Sequence, residues 1–206
     1  MVPVTDAWEE DYSRRGLLWG GVTHDLPLLP PGSRVLELGC GNGKTLLTMV
    51  QRGWEVTALD ISPRAVSLSR ERCRSSSDSD FIIADSSVLP FKNTTFDAVF
   101  AVHLMGHLPE PDRKRVPYGL FPTLRPGGII FFSDFSTEDF RYGSGCELEP
   151  ATFRRGTGII THYFSRQEVL DLFSPFTPVS VSIQRWKMRV RGKDLVRSEI
   201  KGIFTR

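Results

Sequence analysis

Apolar positions fall into short continuous runs, separated by mixed segments with a helical beat. The runs "SRVLEL" (33–38), "EVTALD" (55–60), "FIIAD" (81–85), "FDAVFAVHL" (96–104) and "IIFFSDF" (129–135) are apolar nearly throughout. Strands without in-out alternation belong to a parallel sheet covered on both faces. Between them "KTLLTMVQR" reads as a helix stopped by Gly53, and "SPRAVSLSRERCR" as a helix with Ser62 at its N-cap and Pro63 in its first position. A third helix begins near Glu110 to Asp112 and is expected to be disturbed at Pro117, after which "LRPGG" turns into the fifth strand.

Further along, "SRQEVLDLF" has Ser165 and Glu168 in capping-box spacing. Two long extended segments, "PVSVSIQRWKMRVRG" and "LVRSEIKGIFTR", flank "GKD" in the form of an antiparallel hairpin. The pattern predicts one doubly wound α/β domain over 1–206, with an N-terminal arm (1–30) ahead of the sheet core (31–206). Residues 139–163 form an insertion loop longer than usual connections, and 75–79 are a serine-rich break.

At 206 residues and 40% hydrophobic, the chain can bury a full core. No apolar run approaches the 18 or so residues of a membrane span, and the acidic N-terminus is unlike a signal peptide, so a cytoplasmic protein without membrane contact is expected. Cys40, Cys73 and Cys146 are widely spaced, which predicts reduced thiols and no metal site. The net charge of +2 is unevenly placed: residues 185–206 hold eight basic against two acidic residues, +6, leaving −4 on residues 1–184. The basic hairpin is either a nucleic-acid surface or a solvated strand face.

The candidate chemistry centres on "VLELGCGNGKTL" (35–46). Only three residues separate Gly39 from Gly43, one too few for a Walker loop, and Lys44 stands where a dinucleotide fingerprint has its third glycine. What remains is E-x-G-x-G-x-G, a strand-end carboxylate and a tight turn that admits a ligand close to the backbone.

With "ELGCGNG" (37–43), "ALDIS" (58–62), "IIADSSVLPF" (82–91), "FDAVFAVHLMGHL" (96–108) and "LRPGGIIFFSDF" (124–135) in order, the chain resembles the class I S-adenosylmethionine-dependent methyltransferases, and within them the methyltransferase type 11 group. The resemblance covers most of the chain. It implies a seven-stranded, mostly parallel Rossmann-like sheet with an antiparallel C-terminal hairpin, and S-adenosyl-L-methionine as cofactor. Carried onto this sequence, the cofactor positions are Glu37, Gly39, Cys40, Gly41 and Gly43 in the loop, Asp60 and Ile61 after the second strand, and Asp85 and Ser86 after the third. The chemistry agrees: this cofactor has no phosphate to cradle, and its ribose hydroxyls suit Asp60, 17 residues beyond Gly43. Helix capping or a surface pair is the other reading of Glu37 and Asp60, and a local turn that of Asp85.

Methyl transfer is an in-line displacement, so the enzyme chiefly aligns its reactants and excludes water. A base is needed only where the acceptor loses a proton. His103, past the fourth strand, is the candidate, against strand-end packing; His107 reads as structural. Trp8, Tyr12 and Trp19 are either a lid or packing over the sheet. Arg141, Arg154 and Arg155 either receive an anionic substrate or are solvated. The D/N-P-P-F/Y signature of the family's adenine and glutamine N-methylation, and a Pro-Cys cytosine nucleophile, are missing. A small-molecule methyltransferase is expected. The alternatives are a wobble-uridine-type tRNA methyltransferase, paired by an activator protein on an apolar edge strand, and a cofactor-binding regulator without catalysis.

Overall fold

The computed structural model describes residues 4–15, 25–74, 79–156 and 158–206. Trp19 and most of the serine-rich break (75–78) lie outside the described residues. The elements in chain order are α1 (Val4–Arg15), β1 (Arg34–Leu38), α2 (Lys44–Gln51), β2 (Glu55–Asp60), α3 (Pro63–Arg72), β3 (Ser79–Ile83), β4 (Phe96–Val102), α4 (Glu110–Thr123), β5 (Leu124–Phe135), β6 (Cys146–Glu149), β7 (Thr152–Arg154), β8 (Ile160–His162), α5 (Arg166–Leu172), β9 (Thr177–Val190) and β10 (Lys193–Thr205). A 3-10 turn, Met105–His107, links β4 to α4.

Seven strands form one sheet in the order β3-β2-β1-β4-β5-β10-β9. β1 to β5 pair in parallel, while β10 enters antiparallel between β5 and β9. Successive strand residues go to opposite faces, which explains the apolar runs. Leu36, Leu38, Val99, Ala101, Ile130 and Phe132 join a core with α4 and α5 residues such as Leu120 and Val169. Val35, Ala98, Phe100 and Phe131 join a second core with Leu46 and Met49 of α2 and Val66 of α3. Each large side chain fully buried this way contributes roughly 1.5–3 kcal/mol.

Ser62 caps α3 as expected, its hydroxyl accepting from the N–H of Ala65 at 3.0 Å. Ser165 likewise accepts from the Glu168 N–H at 3.1 Å, but the Glu168 carboxylate pairs with His162 Nε2 at 2.7 Å and ties α5 to β8.

Three expectations are corrected, and one segment gains an element. α4 runs through Pro117, because Val116, Pro117 and Leu120 are buried and that packing outweighs one missing backbone donor. The hairpin turn is Arg191–Gly192, with φ 48° and 80°, rather than "GKD"; two positive φ angles suit a two-residue turn and put Lys193 and Asp194 in β10. The insertion at 139–163 is structured: β6, β7 and β8 form a small antiparallel sheet. The N-terminal arm contains α1, which packs on α3, and its apolar stripe is too short for sequence periodicity to show.

Candidate functional site

The sheet order reverses between β1 and β4, so the segments leaving their carboxyl ends diverge and open a crevice. A cavity of about 330 Å³ occupies it, within the range of small-ligand sites. Its wall is built from the ends of four neighbouring strands: Gly39 after β1, Asp60 and Ile61 after β2, Asp85 and Ser86 after β3, and His103 and Leu104 after β4. His107 adds to it, and Trp8 and Tyr12 of α1 form one side. Of the residues carried over from the resemblance, Gly39, Asp60, Ile61, Asp85 and Ser86 meet here. Glu37, Cys40, Gly41 and Gly43 stand behind the wall.

Asp60 ends β2 buried at 8% exposure. Its two oxygens accept from the N–H groups of Gly41 (2.9 Å) and Ser62 (3.0 Å), which fixes the carboxylate and the glycine loop together. Burial raises its pKa and those N–H bonds oppose the rise. Glu37 lies deeper, at 3% exposure. Burial first, and then the Asp60 charge, push its carboxyl well above the usual range, and among the described residues Oε2 has no hydrogen-bond partner. Asp85 accepts from the Ser87 N–H at 2.8 Å, a local turn that leaves it in the cavity wall.

The glycines have separate geometric reasons. A β-carbon on Gly39 would meet Leu104 at 2.9 Å, and one on Gly43 would press on Ser69 of α3 at 3.1 Å. Gly43 caps α2 at φ 76°, a left-handed conformation suited to glycine.

α1 closes the site from above. Glu9 accepts from the Ser62 hydroxyl at 2.5 Å and from the Arg64 N–H at 3.2 Å, anchoring α1 on the N-terminus of α3. Trp8 stacks on Tyr12, ring centroids 5.6 Å apart, and meets the His107 ring edge-on at 4.8 Å. Burial, and then the Asp60 charge, raise the Tyr12 pKa, so its hydroxyl stays protonated.

A family described as "Methyltransferase domain" matches residues 35–128, the segment from the glycine loop through β4 to the start of β5. Over these residues the chain carries a methyltransferase domain, on the fold of the class I S-adenosylmethionine-dependent methyltransferases. It is 33% identical over 124 residues to the 2-methyl-6-phytyl-1,4-hydroquinone methyltransferase of Synechocystis sp., covering 60% of this chain and 37% of that protein. It is 28% identical over 162 residues to the tRNA N(3)-methylcytidine methyltransferase Mettl2 of Drosophila melanogaster, covering 73% and 50%. Thus the chain spans about a third to a half of the length of these two curated relatives. Among solved structures, a SAM-dependent methyltransferase from Methanosarcina mazei superposes with a TM-score of 0.71 at 23% identity, covering 87% of this chain and 99% of that one, which is a likeness of fold.

Beyond β4 the cavity is lined by two histidines that differ in charge. His103, at φ 52°, has Nδ1 3.7 Å from Asp134 and Nε2 3.3 Å from Glu199. Burial works against its charge, but the two carboxylates outweigh it and raise its pKa to about 9. His103 is therefore an imidazolium at neutral pH. Asp134 is fully buried and also accepts from the Gly106 N–H at 2.8 Å; despite burial, the His103 proton holds its carboxyl below the usual range. His107 is the opposite case. Its Nδ1 bonds the Ile160 carbonyl at 2.7 Å, and burial lowers its pKa, so the ring is neutral with Nδ1–H donating and Nε2 left as the acceptor.

The partners of His103 were invisible in the sequence, because β10 brings Glu199 to it from 96 positions away. The signal for Asp134 was an acid at the end of an apolar strand. Among the arginines of the insertion, Arg154 points outward while Arg155 is half-buried. Among the described residues no helix is long and apolar enough to cross a membrane.

Proposed function

We propose that the chain transfers a methyl group from S-adenosyl-L-methionine to a small-molecule acceptor. The observation that carries this reading is the switch-point cavity of about 330 Å³, with buried Asp60 in one wall and α1 laid over it. Asp60 would hold the ribose hydroxyls, and the glycine loop, with Gly39 bare at the cavity wall, would take the amino-acid end. The cofactor, when bound, supplies an electrophilic methyl group. Trp8 and Tyr12 exclude water from the crevice. An acceptor proton would pass to Nε2 of His107, the neutral ring. His103, first in line as a base on sequence position, keeps its own proton below pH 9 and serves as a fixed positive charge.

A tRNA-modifying reading has its own support in the Mettl2 likeness and the basic hairpin. β3 is an edge strand with Ile83 exposed, which suits an activator protein. Against this, Arg185 is paired with Glu138 and Arg189 with Asp194, which leaves fewer free charges for phosphates. Labelled S-adenosyl-L-methionine offered with total tRNA and with a metabolite pool, with and without a candidate activator, separates the readings. Label in metabolites supports the proposal, and label confined to RNA selects the second reading. Cofactor binding with no transfer to either selects a non-catalytic regulator.

A further inference from the structure

Behind His103, arginines come together from three elements: Arg141 after β5, Arg155 after β7, and Arg197 in β10. Arg141 and Arg197 both lie over the Phe135 ring, their Cζ atoms 4.0 and 4.4 Å from its centroid. The His103 ring is 4.6 Å from the same centroid. Two ring contacts in series thus lead from the cavity to Arg141. The cluster lies on the β5 and β10 side of β4, whereas Asp60 and the glycine loop lie on the β1 and β2 side.

The cluster's charges are under-compensated. Asp139 is the one carboxylate in ion-pair contact with it among the described residues, and Arg141 (2.9 Å) and Arg197 (3.1 Å) share it. Among the described residues Arg155 reaches only neutral oxygens: the Tyr163 hydroxyl and the carbonyls of Arg141 and Ser144. Nη2 of Arg141 is buried without a hydrogen-bond partner among the described residues, a costly state for a charged donor. Burial, and then the nearby Arg141 charge, lower the pKa of Arg197. An oxyanion would relieve each of these.

We infer that Arg141 and Arg155 form an oxyanion subsite, so that the methyl acceptor is a small molecule bearing a carboxylate or phosphate group. The inference rests on the proposed methyl transfer. Planar guanidinium donors match either anion in geometry and charge. Arg154, exposed on β7, has no part in it.

The test follows the arginine Nε–H NMR resonances of the protein loaded with S-adenosylhomocysteine, at low chloride, during titration with inorganic phosphate, with benzoate and with a short single-stranded RNA. Saturable shifts of Arg141 and Arg155 with phosphate or benzoate are expected, and the stronger of the two identifies the group. Arg141→Gln and Arg155→Gln should each weaken that binding about tenfold or more, with S-adenosylhomocysteine affinity unchanged, and Arg155→Lys should retain part of it. If Arg141→Gln does not fold, Arg155→Gln decides the matter, because Arg155 leaves no carboxylate unpaired. No saturable shift up to about 100 mM, where even a ~10 mM site fills, overturns the inference. So does binding unaltered in the double variant, or a response to RNA alone. Failure of the wild type to bind S-adenosylhomocysteine would instead remove the methyl-transfer reading, and the anion titration on the unloaded protein would still judge the subsite.

Discussion

The hydroxyl of Tyr12 lies 2.7 Å from where a β-carbon on Gly41 would stand. A residue of the N-terminal helix thus occupies the space that the second glycine of the loop leaves open, and lid and loop are complementary surfaces. Gly41→Ala, at φ 52°, should displace α1 and expose the cavity, with a backbone cost of about 1 kcal/mol. Combined with Tyr12→Phe, part of the loss should return. A double-mutant cycle on S-adenosylhomocysteine affinity measures the coupling, and strict additivity would mean the two residues act independently.

Asp60→Ala should weaken S-adenosylhomocysteine binding by roughly 1–3 kcal/mol and lower the melting temperature, because the Gly41 and Ser62 N–H groups lose their acceptor. Calorimetry with a parallel melt separates the two effects. Unchanged affinity would take Asp60 out of the cofactor site.

The raised pKa of His103 makes stability depend on pH. Its contribution is fully present below about 6.5, the ordinary histidine value, and is lost as pH rises through about 9. With 36% of the side chain exposed, solvent screening reduces the expected contribution to about 1 kcal/mol. Denaturant melts from pH 6 to 10 should show this decline in the wild type and a flatter profile in His103→Gln. Equal slopes would mean that the Asp134 and Glu199 carboxylates do not hold the proton.

For an acceptor that must lose a proton, His107→Gln should reduce kcat by about 10²- to 10⁴-fold with cofactor affinity unchanged. Because the His107 pKa is lowered, the acidic limb of the pH–rate profile should fall below pH 6.5. His103→Gln should leave that limb in place. A limb that moves with His103 instead would return the base role to it.

On the hairpin, Lys187 and Arg189 project from one face of β9, while Arg191 belongs to the turn. Replacing all three with glutamine should leave small-molecule transfer unchanged. If RNA is bound there, the salt slope of log K should fall by up to about three, one per lost phosphate contact. Gel-shift titrations across salt provide that slope.

The α/β alternation, the glycine turn, the Ser62 cap and the strand-end position of Asp60 were legible in the sequence. Each is set by neighbours a few residues apart: the period of apolar side chains, the φ angles open to glycine, and a hydroxyl three residues from the N–H it caps. The resemblance added the cofactor positions through the same local motifs. The tertiary structure decided what depends on adjacency between distant segments. Only the insertion of β10 beside β5 sets Glu199 opposite Phe135 and so within reach of His103. Only the docking of α1 through Glu9 on Ser62 puts Tyr12 over Gly41. Charge states followed in turn. Whether a histidine is imidazolium or neutral is set by burial and by the carboxylates that packing brings near, and strand order, which no local pattern encodes, brought two of them to His103 and a backbone carbonyl to His107.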